Sequence, residues 1–124
     1  MQDEPTPFEL TKAVADFLRD DIAPMISGHN AFKLRVAINM LDLVTRQLTL
    51  EDGSDVEEAA RLRALLGIDG ALMDLNRLLA DKIASGEVDL QTPGLAEHLW
   101  QTTMAKLAVD QPNYASFKRE LGRK

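Results

Sequence analysis

Apolar positions recur along this chain at three- and four-residue spacing. No stretch alternates apolar and polar over five or six residues, so the pattern predicts helices and no sheet. Pro5 and Pro7 flank Thr6, with Glu9 three residues beyond Thr6, which predicts a capping box with proline at the first helical position. The first helix then runs from about Pro7 to Ile22, with Leu10, Val14, Phe17, Leu18 and Ile22 on one face and Asp16, Arg19 and Asp20 toward water. Pro24 ends it, because proline disfavours helical geometry in the residue before it.

After the punctuation Ser27, Gly28 and Asn30, a second helix is predicted from about Asn30 to Leu50. Its apolar residues cover most of the circumference. Phe32, Val36, Leu43 and Leu50 lie near one meridian, Met40 and Val44 beside them, and Leu34, Leu41 and Leu48 opposite. Such a helix is expected to be buried on most sides, which makes it the central one. Its polar residues form a narrow stripe of Arg35, Asn39, Asp42, Arg46 and Thr49.

Glu51-Asp52-Gly53 reads as a turn, and Ser54 with Glu57 as a second capping box opening a third helix at about Asp55 that stops at Gly67. Asp69 caps a fourth helix striped by Leu72, Leu75, Leu79 and Ile83 and closed by Gly86. The segment from Glu87 to Gln91 is a connector. Thr92 and Pro93 start a fifth helix that reaches about Val109, Asp110-Gln111-Pro112 breaks it, and a short helix from Tyr114 to Leu121 follows. The fold class is therefore all-α: a single-domain bundle over residues 1–124, with five main helices plus a short C-terminal helix and the second helix central.

Composition narrows the function. At 124 residues the chain fits one domain, and 45% apolar with 27% charged residues is a globular balance. Twenty acidic and 14 basic side chains give a net charge of -6. Only the end around Lys118, Arg119, Arg123 and Lys124 is basic, so a nucleic-acid partner is not expected. The absence of cysteine excludes disulfides and thiolate chemistry. No apolar run is long enough to cross a bilayer and no signal-peptide pattern opens the chain, so a cytoplasmic, bacterial-type protein is expected. His29 and His98 lack ligand partners at metal-binding spacing, so neither a metal nor another cofactor is expected. Gly67 and Gly70 separate two helices instead of following a strand, which argues against a phosphate loop.

Three polar features could carry chemistry. Arg35, Asn39, Asp42 and Arg46 lie within about 60° on the second helix. They form either a solvated edge or a polar groove whose guanidiniums take a carboxylate or phosphate. Asn39 lies close to the apolar meridian and is expected to be half-buried. Arg35 and Arg46 are about 16 Å apart along the axis and cannot share one carboxylate; Asp42 can neutralise Arg46 but is two turns from Arg35, so Arg35, Asn39 and Phe32 are the expected contact set. Lys106 falls on the apolar stripe between Leu95 and Leu99, where it snorkels, pairs with Asp110 or meets a ligand. The break around Asp110 and Asn113 is explained by side-chain-to-backbone turns. Trp100, beside Met104 and Leu107, is expected in the core.

The opening Asp3-Glu4-Pro5-Thr6-Pro7, the segment Ala31-Phe32 with Arg35-Val36-Ala37, Asn39 and Arg46, and the run Lys106-Leu107-Ala108-Val109-Asp110-Gln111-Pro112-Asn113-Tyr114 resemble an uncharacterised family of short helical bacterial proteins. Genes of that family often stand beside acyl-CoA dehydrogenases and aminoglycoside-type phosphotransferases. The resemblance implies an accessory protein in acyl-CoA or related small-molecule metabolism, with such an enzyme as partner; it brings no catalytic residue. A homo-oligomer is an open expectation beside it. Two classes stay open. One is a non-catalytic accessory or interaction protein. The other is a binder of an anionic or acyl ligand, or a small enzyme, using Phe32, Arg35, Asn39, Arg46 and Lys106.

Overall fold

A computed structural model describes residues 3–123. The fold is all-α, with five α-helices: α1 (Pro7–Phe17), α2 (His29–Leu66), α3 (Leu72–Ala84), α4 (Leu95–Asp110) and α5 (Ala115–Gly122). Lys124, the last of the basic residues at the C-terminal end, lies outside the described residues.

The predicted second and third helices are one helix of 38 residues. The turn at Glu51-Asp52-Gly53 does not form. Gly53 costs about 1 kcal/mol against alanine in a helix interior, but Leu50, Glu51, Glu57, Glu58, Ala59 and Ala60 around it are good helix formers. Ser54 and Glu57 have no cap to make, because the preceding turn supplies carbonyl acceptors to their backbone N–H groups.

Packing divides the chain into two units, one up to Glu51 and one from Asp52 onward. The first holds α1 and residues 29–51 of α2. Thr6 caps α1 with the predicted box: its hydroxyl accepts from the Glu9 N–H at 3.2 Å, and Glu9 Oε2 accepts from the Thr6 N–H at 2.7 Å. Beyond Phe17 the chain makes one π-helical turn (Leu18–Ile22) and one 3-10 turn (Ala23–Met25) around Pro24.

Arg19, in the π turn, donates to Asp42 Oδ2 at 2.5 Å, and the Thr45 hydroxyl donates to the Thr11 hydroxyl at 2.9 Å. Moving forward along one partner moves backward along the other, so the two helices run antiparallel. Lys12 and Arg19 both bond Asp16, at 2.6 and 3.1 Å. The Lys12 hydrogen bond is the main reason the Asp16 carboxyl lies below its ordinary range. Among the described residues of this unit, Ala15 and Ile38 alone are buried. Ile38 shares a helical face with half-buried Leu34, Leu41 and Thr45, so this is the side of α2 that meets α1.

The second unit has a true core of Leu62, Leu75, Leu79, Val88 and Leu95, with Leu65, Leu66 and Leu72 packed against it. Gly67 ends α2 in the left-handed region, as its position predicts. Asp69 is not a helix cap: its carboxylate accepts from Arg63 Nε at 2.5 Å and the Gly70 N–H at 2.8 Å, and α3 starts only at Leu72. In the connector, Asp89 and Thr92 exchange hydrogen bonds that fold the chain so that Val88 is buried.

α4 buries Leu95 and His98, and half-buried Thr102, Ala105 and Val109 continue the same face at helical spacing. Its other apolar face carries Trp100, Met104 and Ala108, which border a groove against α5. Trp100 is not in the core but 48% exposed. The eight-residue α5 places a single large side chain, Phe117, into the interior, too little to enclose an indole.

Candidate functional site

Residues 29–51 of α2 carry four of the five predicted site residues. Phe32 is 59% exposed, and Met40 beside it is 63% exposed. Val36 and Leu50 are also exposed, and Leu43 is half-buried. These side chains lie on the face of α2 opposite Ile38, so the expectation of burial on most sides fails for a simple reason. One neighbouring helix, α1, covers one face, and the second apolar face faces solvent.

The polar stripe lies between the two faces. Arg35 and Asn39 are exposed, which corrects the half-buried position expected for Asn39. Asp42 is engaged by Arg19. Arg46 is half-buried and has a partner. Lys106 stands on α4 in the second unit, exposed, and forms no ion pair with Asp110, also exposed. Its meridian is an edge: Leu95 is buried, but Leu99 is exposed.

The second unit contains a polar pair that sequence reasoning passed over. His98 is 2% exposed. Arg61, on α2, donates from Nη2 to the Thr102 hydroxyl at 3.4 Å, and Arg61 Nε and His98 Nδ1 are buried without a hydrogen-bond partner. Each unmet buried group costs the folded chain about 1–3 kcal/mol. Burial holds the His98 imidazole below its ordinary pKa, with the nearby Arg61 charge adding to the shift and Glu58 opposing it. His98 is therefore neutral at pH 7.

Both side chains line a pocket of about 240 Å³ with Ala64, Leu65, Pro93, Gly94 and Glu97. The pocket lies at the start of α4, whose N-cap, Gly94, supplies no side-chain cap. Glu97 accepts from Gln101 Nε2 at 2.6 Å, and Glu58 from Asn76 Nδ2 at 2.7 Å, so both acids are drawn to neighbours. The signal was present in the pattern: His98 lies on the helical face of Leu95 and Thr102, and Arg61 directly precedes a core leucine, Leu62. Metal-ligand spacing was the wrong test for this histidine.

Among the described residues no three histidine, aspartate or glutamate side chains come together where they could hold a metal ion, and no helix is long and apolar enough to cross a membrane.

The fold is all-helical and presents two surfaces, an uncovered apolar helix face and a small polar pocket. Residues 24–114 match the family described as Domain of unknown function (DUF6285), and the chain belongs to that family. The match includes the whole Phe32–Arg46 stripe, both pocket nitrogens and the Lys106–Tyr114 segment, but not the opening around Thr6. No curated protein and no solved structure matches the chain.

Proposed function

We propose that this is a non-catalytic interaction protein whose α2 face of Phe32, Val36, Met40, Leu43 and Leu50 receives a partner's amphipathic helix. The observation that carries the reading is the exposure of these large apolar side chains in a row along one helix, opposite the face already used by α1. Arg35 and Asn39 edge the row, and Arg35 forms no ion pair among the described residues. The complementary partner therefore carries an acidic side chain at the rim of its apolar stripe. The family resemblance makes an acyl-CoA dehydrogenase or an aminoglycoside-type phosphotransferase the first candidates, in acyl-CoA or related small-molecule metabolism. We take the setting to be the cytoplasm, in keeping with a chain that contains no cysteine.

Co-purification from the native host, followed by calorimetric titration of any enzyme found, tests this. Met40→Glu places a charge in the middle of the row and should abolish binding, while Arg35→Ala should weaken it about tenfold, the loss of one charge-assisted contact. Retention of the partner by Met40→Glu would reject the assignment of this face. A second copy is the alternative occupant, because two antiparallel helices are half of a four-helix bundle. Sedimentation equilibrium separates the two: a dimer dissociated by Met40→Glu, with no other protein retained, points to self-association.

A further inference from the structure

The Arg61–His98 pocket lies in the second unit, and the proposed docking uses none of its residues. Its wall combines one guanidinium, of whose five N–H donors one meets a protein acceptor, with a buried imidazole nitrogen that meets none. The uncapped start of α4 adds the positive end of a helix dipole. The rest of the wall is apolar: Ala64, Leu65 and Pro93. Glu97 in the lining and the nearby Glu58 charge limit the negative charge that the site tolerates, which favours a single carboxylate over a phosphate dianion.

We propose that this pocket binds a short-chain monocarboxylate. Its carboxylate accepts hydrogen bonds from the Arg61 guanidinium and the His98 ring, and its hydrocarbon chain lies against Ala64, Leu65 and Pro93. The volume of about 240 Å³ suits a ligand of a few carbons. Arg61 Nε has no partner within the protein, and an arginine edge can meet a carboxylate with two parallel bonds.

The test is an NMR titration of the unaltered protein with acetate, butyrate and inorganic phosphate, following the ring signals of its two histidines. Butyrate should shift the His98 ring saturably and leave exposed His29 unmoved. Each methylene withdrawn from water should tighten binding about fourfold, so butyrate should bind more than about tenfold tighter than acetate. Arg61→Lys keeps the charge but loses the planar fork, and should weaken butyrate about tenfold. The proposal is overturned if millimolar butyrate leaves His98 unmoved, if phosphate or acetate matches butyrate, or if folded Arg61→Lys binds butyrate as the unaltered protein does. The comparison of acetate with butyrate needs no substitution and decides the matter even if Arg61→Lys fails to fold.

Discussion

The two units of this chain use the same kinds of residue to different ends. From Asp52 onward, leucines converge: Leu62, Leu75 and Leu95 are sealed from water.

 

Up to Glu51 the buried residues are Ala15 and Ile38, while Phe17, Phe32 and Met40 stand largely in water. What fixes the first unit is a set of directional polar links, Thr11 to Thr45 and Arg19 to Asp16 and Asp42. Polar links set which residues face one another but add little free energy when exposed, whereas buried leucines supply stability with little directional information. A region that specifies its geometry without burying its large apolar side chains is suited to completing its core with another chain.

Substitutions can break this contrast, and the largest effect belongs to the second unit. Leu75→Ala should lower stability by about 2–5 kcal/mol in urea unfolding, because its side chain is fully enclosed. Met40→Ala should cost far less in the free protein, and a comparable loss would show that the exposed face is already covered.

The pH dependence of stability comes next. A folded-state pKa below the unfolded value means that the unfolded chain binds the proton more readily, so stability rises with pH. The His98 contribution is whole above about pH 6.5 and is lost as pH falls toward the depressed folded value. Melting temperatures of His98→Gln should therefore vary less with pH in that window. Asp16 and Asp69 are lowered by Lys12 and Arg63 respectively, and their contributions are lost only in a more acidic window, below about pH 4.

Thr6→Ala removes the capping hydroxyl of α1 and should cost about 1 kcal/mol, read as faster amide exchange in α1. The smallest effect is expected for Asp42→Asn, about 0.5 kcal/mol after solvent screening of the partly exposed pair with Arg19. Trp100 gives a separate optical check: its emission should lie toward that of free tryptophan and be quenched by iodide, since nearly half of its surface is open.

Helical spacing and proline placement made the helix content, the Thr6 box, the Gly67 stop and the short last helix legible in the sequence. The break expected at Gly53 does not form, because a single glycine is only a weak stop signal inside a long helix. Burial was harder to read than helicity. An apolar face reports that something is to be covered, not whether the cover lies within the same chain, so Phe32, Asn39 and Trp100 were all placed too deep. The Arg61–His98 pair escaped notice because its members are 37 positions apart in sequence (98 − 61) and come together only through packing of the second unit.

Gly94 sets a limit on how the family can drift. Its φ is +90°, and a Cβ there would stand 3.2 Å from Leu65 Cδ1. Gly28, Gly67 and Gly86 share the left-handed backbone but have open space around them, and Gly53 has neither constraint. In a library of single substitutions, position 94 should tolerate almost nothing but glycine, while position 53 should accept alanine with a gain. One lining position of the pocket is thus held by a residue with no side chain to vary, and selection that reshapes its apolar wall acts through Ala64, Leu65 and Pro93.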